Sequence, residues 1–169
     1  TKGWLPVSDD AVADAPVAPT IQKGIFAFGY TSSVQSMSNL VTSAGVIGTD
    51  VTGVGTARFY IGSTSYGADK AIFAYGSTGS YVSMSNLVSN SGVVASDVTG
   101  VGTVRKYLAA ARYGTDKAIF AYGDNASTNL SMSNLVSNSG VIAEDVTGVG
   151  TARAGLAASS YGGDKAIFA

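Results

Sequence analysis

The sequence has 169 residues, enough for one domain with a hydrophobic core. Hydrophobic residues make up 46% of it and charged residues only 12%, about half the usual share for a soluble domain. The net charge of −1 offers no basic surface, so we expect neither nucleic acid as a partner nor membrane insertion. Without cysteine or histidine the chain lacks disulfides, thiolate and imidazole metal ligands, and Ser-His-Asp chemistry, so we predict no enzyme and no cofactor.

The first 22 residues differ from the rest of the chain in composition. All three prolines lie there, at Pro6, Pro16 and Pro19. Because proline removes a ladder donor and favours an extended neighbour, we predict an N-terminal arm or linker over residues 1–22. Its beginning has neither the basic nor the apolar region of a signal peptide. The sequence also has no apolar run of about 18 residues, so it predicts no transmembrane helix.

Residues 23–169 form a tandem repeat. A Lys-x-Ile-Phe-Ala motif recurs with spacings of 47, 47 and 48 residues, beginning at Lys23, Lys70, Lys117 and Lys165. The motifs SMSNLV and DVTGVGT recur at nearly the same spacing. We therefore predict one repeat domain, whose units are residues 23–69, 70–116 and 117–164 and the start of a fourth at 165–169.

Each repeat divides into four short segments. In the second repeat, residues 72–76 are an apolar-aromatic run ending in glycine, which predicts a buried strand. The next segment alternates at period two, which predicts a strand with one wetter face that carries Ser85. Residues 92–98 are rich in β-branched side chains and lead into a Gly-rich turn, which predicts a third strand. Residues 105–114 are rich in alanine, and both a strand and a short helix remain open.

Charged residues recur at fixed places around the Gly-rich turn. Asp precedes the turn and Arg follows it in every repeat, at Asp50, Asp97 and Asp145 and at Arg58, Arg105 and Arg153. One interpretation is a ring of acid or cation sites. The other is structural: each Asp accepts hydrogen bonds from turn amides and pairs with the Arg between strands or between repeats. A charge that occurs once per repeat at one place favours the structural role.

The repeats diverge in two sets of segments, which are 30–35, 77–82 and 124–130, and then 59–65, 106–112 and 154–160. The first set contains our candidate ligand-binding residues, Tyr30, Tyr81, Asp124 and Asn125. Tyrosine beside Asn or Asp suits contact with carbohydrate or protein, because an apolar ring stands next to polar groups. The competing interpretation is that these residues are only solvated loop tips.

Four strands per repeat, with glycine-marked turns between them, are typical of β-propeller blades. The stretches GTARFYIGSTSYGADKAIFAYG, GTVRKYLAAARYGTDKAIFAYG and GTARAGLAASSYGGDKAIFA resemble the kelch repeat. Arg58 matches the kelch arginine, and Tyr75-Gly76 stands at the kelch Gly-Gly pair. The resemblance implies an all-β, kelch-like β-propeller with three blades and a fraction. Further sequence or partner chains would then close the ring.

The IFAYG, SMSNLVSNSGVV and DVTGVGTAR units also resemble repeats in virion structural proteins of aquatic tailed bacteriophages. That resemblance implies a non-enzymatic structural or adhesive component of a virion, such as a fibre, an adhesin or a decoration protein. Its expected partners are other virion proteins, copies of itself, and a host-surface glycan or protein. The alternative is a soluble carbohydrate-binding propeller, a lectin, which predicts matching aromatic and acidic residues in every repeat.

Overall fold

The computed structural model describes residues 23–169, so the arm predicted for residues 1–22 lies outside the described residues. The described chain is all-β, as predicted: it forms ten strands in four separate antiparallel sheets and contains no helix. This part of the chain therefore has no helix long and apolar enough to cross a membrane. The first and last sheets have two strands each, and the two central sheets have three.

The strands follow the recurring motifs of the sequence. They are β1 (Gly24–Tyr30), β2 (Val34–Val41), β3 (Gly62–Tyr66), β4 (Lys70–Ala74), β5 (Ser85–Val88), β6 (Ala109–Tyr113), β7 (Lys117–Ala121), β8 (Ser133–Val136), β9 (Ala158–Tyr161) and β10 (Lys165–Phe168). The Lys-Ala-Ile-Phe motif forms β4, β7 and β10, and the Ser-Asn-Leu-Val motif forms β5 and β8.

Each central sheet combines segments of two consecutive repeats. In the sheet of order β3-β4-β5, β3 ends the first repeat whereas β4 and β5 begin the second. The antiparallel pairing runs from Gly62 opposite Ala74 to Tyr66 opposite Lys70, and the sheet of order β6-β7-β8 has the same register. Backbone hydrogen bonds therefore tie each repeat to the next one.

The hydrophobic core lies between consecutive sheets. Ile72 belongs to the same buried cluster as Phe120 of the following sheet, whereas Phe73 packs edge to face against Phe28 of the preceding sheet, with ring centroids 5.6 Å apart. Because successive side chains of a strand point to opposite faces, β4 must be apolar on both. Across residues 23–169 the sheets follow one another without closing into a ring.

The second and third segments differ from the sequence predictions. The predicted wetter face is wrong at Ser85, which is buried because sheets pack on both sides of β5. The third segment forms only isolated bridges, from Val94 to Val88 and from Val98 to Ser85. The Asn86 side chain donates a hydrogen bond to the carbonyl of Ala95 at 2.9 Å, so a side chain replaces part of the backbone ladder there.

The alanine-rich fourth segment is a strand, β6, and not a short helix. Ala109 and Ala111 are buried where β6 packs closely against β3 and β9. Small side chains suit this close approach, and backbone pairing with β7 overrides the helix propensity of alanine.

Candidate binding face and inter-repeat joints

The arginine that follows each Gly-rich turn lies between two repeats. The Arg58 side chain is fully buried, and its Nη2 donates to Asn86 Oδ1 at 2.5 Å while its Nε donates to the carbonyl of Tyr75 at 3.1 Å. Its Nη1 lies 3.6 Å from an oxygen of Asp97. The guanidinium stacks on the Phe28 ring, 4.3 Å from the centroid. Because Asn86, Tyr75 and Asp97 belong to the second repeat, this contact is a joint between repeats.

Asp97 receives hydrogen bonds from both repeats. Thr56 donates its backbone N–H at 3.0 Å and its hydroxyl at 2.6 Å, and Asn86 donates its amide at 2.9 Å. Desolvation raises the pKa of Asp97, but these hydrogen bonds and the charge of Arg58 outweigh it, so that its pKa lies below the ordinary value. The carboxylate is therefore held in its ionised form.

The second joint repeats the main contacts of the first, except that Arg105 Nε is buried without a hydrogen-bond partner. Arg105 is fully buried and donates to Asn134 Oδ1 at 2.6 Å, with Asp145 at 3.8 Å and the Tyr75 ring centroid at 4.1 Å. Thr103 donates its backbone N–H to Asp145 at 3.0 Å and its hydroxyl at 2.6 Å. Four of the six repeat charges, Arg58, Arg105, Asp97 and Asp145, thus lie in complete joints.

Burial sets the energetics of the joints. Desolvation lowers the pKa of Arg58 to about 10, with Asp97 opposing the shift. Desolvation also lowers the pKa of Arg105, against opposing interactions with Tyr75 and Asp145. Arg58 stays protonated at neutral pH even so, and a buried cation of this kind needs its partners. These contacts place the paired charges in the scaffold of the protein.

The aromatic residue beneath each arginine has a left-handed backbone. The φ angles are 65° at Phe28, 64° at Tyr75 and 64° at Tyr122, each followed by a glycine. Such a conformation costs a non-glycine residue about 1 kcal/mol or more. Stacking of a buried arginine on the ring contributes about 2 kcal/mol, which offsets the strain. An aromatic residue with a left-handed backbone is therefore tolerated before the glycine at this position.

The Gly-rich turn itself allows close contact across the joint. Gly55 has a φ of 80°, and an added Cβ would lie 2.5 Å from Asn86 Nδ2 and from Asp97 Oδ1. Gly45 has a nearly equal φ of 78°, but nothing lies within 4 Å of an added Cβ. The two glycines therefore share a positive φ angle and differ in what surrounds them.

We expect Gly55→Ala to lower the free energy of unfolding by about 3 kcal/mol and Gly45→Ala by only about 1 kcal/mol. Both variants acquire backbone strain, but only the first forces the joint apart. Urea unfolding followed by circular dichroism measures the difference. Equal losses in the two variants would contradict the close contact at Gly55.

A row of aromatic side chains lies at the ends of the sheets where the divergent segments meet. Ring centroids are separated by 5.5 Å between Tyr30 and Phe59, by 4.4 Å between Phe59 and Tyr60, and by 4.2 Å between Tyr60 and Tyr107. Tyr30 is 62% exposed, Tyr60 46% and Tyr107 38%. The row therefore presents stacked rings to solvent.

Polar groups flank this row. Lys106 Nζ lies 4.6 Å from the ring centroid of Tyr81 and 5.0 Å from that of Tyr107. The Tyr81 hydroxyl donates to Asp124 Oδ1 at 2.8 Å, and Lys106 and Asp124 form a backbone bridge. Interaction with Tyr81 is the main reason why the pKa of Lys106 is raised above its ordinary value. We call the whole set the aromatic face: Tyr30, Phe59, Tyr60, Tyr81, Lys106, Tyr107 and Asp124.

Two tyrosines of the aromatic face have left-handed backbones although they are exposed. The φ angle is 56° at Tyr60 and 55° at Tyr107, and the corresponding residue of the third repeat is Gly155, with a φ of 72°. The three positions are linked, since Tyr107 N–H donates to the Tyr60 carbonyl at 3.3 Å and Gly155 N–H to the Tyr107 carbonyl at 2.8 Å. Glycine suits this backbone, so the strained tyrosines need another explanation.

The structure brings three of the four candidate ligand-binding residues together. Tyr30, Tyr81 and Asp124 lie on the aromatic face. Asn125 does not join them through its side-chain carbonyl, which accepts hydrogen bonds from the backbone of Ser127 and Thr128 and so shapes its own loop.

Sequence reasoning did not single out four members of the aromatic face, which are Phe59, Tyr60, Lys106 and Tyr107. Their segments, 59–65 and 106–112, were recognised only as divergent. The available signal was the exchange of tyrosine for glycine between equivalent positions of the repeats, as at Gly155. Within the described part of the chain, no group of three or more acidic residues is placed to hold a metal ion.

Comparison with known proteins gives little further information. No protein-family model matches the sequence, and no curated protein matches it. Among solved structures, the chain is similar to a fungal alcohol oxidase of the AA5 family in complex with copper, with 13% identity and a TM-score of 0.49. The similarity covers 68% of this chain and 26% of that one, and at this level it carries no argument about fold or activity.

Proposed function

We propose that this protein is a non-enzymatic attachment module that holds a saccharide surface through its aromatic face. The observation that carries the proposal is the pair of exposed tyrosines, Tyr60 and Tyr107, whose backbones are strained with φ angles of 56° and 55°. Glycine, as at the equivalent Gly155, adopts this backbone without strain, and strain of about 1 kcal/mol or more that is retained at half-exposed side chains is a feature of binding and active sites.

The chemistry of the aromatic face suits a neutral sugar chain. Stacked, half-exposed rings offer flat apolar surfaces, and the Tyr81 hydroxyl, Lys106 and Asp124 offer donors and acceptors beside them. Lys106 and Asp124 carry opposite charges and lie across one backbone bridge, so the face has no net charge to select a charged ligand. An extended polymer would lie along the row from Tyr30 to Tyr107.

The proposed architecture is a kelch-like propeller whose ring is closed by further blades. The proposal is supported by the stacking of consecutive sheets, each with an inner strand of small residues. In each central sheet, this inner strand belongs to the preceding repeat. In such a ring, the aromatic face would lie on one side of the molecule, because its segments all join the same ends of the sheets.

We further propose that the module belongs to a virion of the tailed-phage type, where its partners would be neighbouring proteins and the host surface. The resemblance of the repeats motivates this, together with the low share of charged residues. A recurring exposed valine at the outer edge of each repeat, 61% exposed at Val46, 64% at Val93 and 65% at Val141, gives a regular apolar rim suited to packing against neighbours.

The second candidate function is a soluble lectin. The recurrence of tyrosine at Tyr60 and Tyr107 favours a site that repeats from blade to blade. Gly155 in the third repeat interrupts that pattern. A single face shared by the repeats, as in an attachment protein, is the better fit to the geometry. Detection of the chain by mass spectrometry in purified virus particles would separate the two candidates.

We expect Tyr30→Ser to weaken retention of the protein on an immobilised neutral polysaccharide by about tenfold, since a stacked ring is worth about 1 kcal/mol or more. Tyr161→Ser is the matched control, because Tyr161 is 52% exposed but lies in β9, away from the aromatic face. A panel of glucan, galactan and mannan columns serves as the probe. Equal retention of the two variants would contradict a binding role for Tyr30.

A further inference from the structure

The first repeat carries one half of a joint. Asn39 Nδ2 donates to Asp50 Oδ1 at 2.8 Å and to the carbonyl of Gly48 at 3.1 Å. Asn86 bonds to Asp97 and Ala95 in the same way, at 2.9 Å each. Asp50 and Asn39 are thus arranged like Asp97 and Asn86, which bind Thr56 and Arg58 in the complete joint. Within residues 23–169, however, no arginine or threonine donates to Asp50 or Asn39. Residues 1–22 contain no arginine.

A cavity of about 400 Å³ lies beside this half joint, lined among others by Phe26, Phe28, Asn39 and Ile61. In the complete joint, the guanidinium of Arg58 donates to the carbonyls of Phe73 and Tyr75 and to Asn86 Oδ1. The residues 47 positions earlier are Phe26, Phe28 and Asn39. The cavity therefore lies where a guanidinium and an inner strand would complete the first sheet.

The third repeat carries the other half. Arg153 stacks on the Tyr122 ring at 4.2 Å, as Arg58 does on Phe28, and donates to the carbonyls of Thr151 at 3.2 Å and Phe168 at 3.0 Å. Within residues 23–169 no Asp or Asn receives the Arg153 guanidinium or the Thr151 hydroxyl. The two halves differ in charge, with Asp50 on one side and Arg153 on the other.

We infer that the cavity beside β1 is a receptor for the turn around Thr151 and Arg153, together with β9, from a second copy of this chain. Strand β10 has the sequence Lys-Ala-Ile-Phe and β1 is preceded by Lys23 and contains Gly-Ile-Phe, so β1 can pair with β9 in place of β10 with the same register. The exchange preserves the backbone hydrogen bonds. It also adds hydrogen bonds from Arg153 and Thr151 to Asn39 and Asp50, for which the pairing of β9 with β10 has no equivalent.

Analytical ultracentrifugation of the purified chain tests this inference. We expect the average mass to rise above the 16.9 kDa of one chain with increasing concentration. Asp50→Arg and Arg153→Asp each remove one half of the joint and weaken association by about tenfold or more. Glu144→Arg and Lys117→Asp are the controls, since they make the same changes of charge at exposed positions outside the joint.

Mixing the two joint variants tests directly whether the cavity of one chain binds the Arg153 turn of another. The Asp50→Arg chain keeps an intact Arg153 turn and the Arg153→Asp chain keeps an intact cavity, so an equal mixture should associate again through a wild-type joint. A wild type that remains at 16.9 kDa, association that survives in either variant, or a mixture that remains monomeric would each overturn the inference. Circular dichroism checks the fold, and Asp50→Ala replaces Asp50→Arg if the latter does not fold.

Discussion

Replacing Arg105 with alanine should lower the free energy of unfolding by about 3 kcal/mol, because it leaves the partners of a fully buried cation without their bonds. Arg153→Ala is the matched control, as it makes the same change at the equivalent position of the third repeat. The Asn and Asp of a complete joint are missing there within residues 23–169, and Arg153 is partly exposed. We expect that variant to lose less than about 1 kcal/mol.

Urea unfolding at a protein concentration where ultracentrifugation finds the wild-type chain monomeric measures both changes. Binding to the polysaccharide panel should be retained by the Arg105→Ala chain under conditions where it is folded, since Arg105 does not belong to the aromatic face. Equal destabilisation by the two variants would show that the joint contributes nothing beyond a stacked arginine. If the Arg105→Ala chain had normal stability but no longer bound the polysaccharides, Arg105 would be assigned to a binding site and not to the scaffold.

The sequence revealed that Arg and Asp recur in every repeat, but it did not reveal which of them pair. Arg58 lies eight residues after Asp50 in the chain, yet it pairs with Asp97 of the following repeat. The cause is the sheet that crosses the repeat boundary, with β3 from one repeat and β4 from the next. A long-range pairing of this kind leaves no local pattern in a single sequence.

Local pattern was sufficient for the apolar strands and insufficient for the alanine-rich segment. The Ile-Phe-Ala run was predicted correctly as a buried strand, because it is apolar on both faces and both faces are buried between sheets. The stretch that becomes β6 carries alanines that favour a helix, and only pairing with β7 and packing against β3 make it a strand. These contacts join separate segments, so they were not readable from the stretch itself.

Three of the seven residues of the aromatic face could be singled out from the sequence. Tyr30, Tyr81 and Asp124 were found because repeats diverge at their loops. Tyr60 and Tyr107 lie in segments that also diverge but for which both a strand and a short helix remained open. Their left-handed backbones have no signature in the sequence other than the glycine at the equivalent position of the third repeat. A tyrosine where another repeat has glycine is thus the pattern that marks a strained and exposed ring.

Replacing both Tyr60 and Tyr107 with glycine should separate binding from stability. Glycine relieves backbone strain of about 1 kcal/mol at each position, while loss of the ring contacts and the greater freedom of the unfolded chain oppose this gain by a similar amount. We therefore expect a melting temperature within about 3 °C of the wild type. Retention on the neutral polysaccharides should fall by about a hundredfold, because the two stacked rings are removed together.

The Tyr60→Ala, Tyr107→Ala chain is the control that distinguishes strain from ring contact. Alanine removes the rings but keeps the left-handed strain at φ angles of 56° and 55°, so this chain should lose binding to the same extent and also unfold more easily than the glycine variant. Differential scanning calorimetry and column retention give the two readouts. If the glycine variant retains its binding, the strained tyrosines do not contact the ligand. If it loses several kcal/mol of stability, the tyrosines serve the fold, and the attachment site must be sought on the valine rim of the repeats.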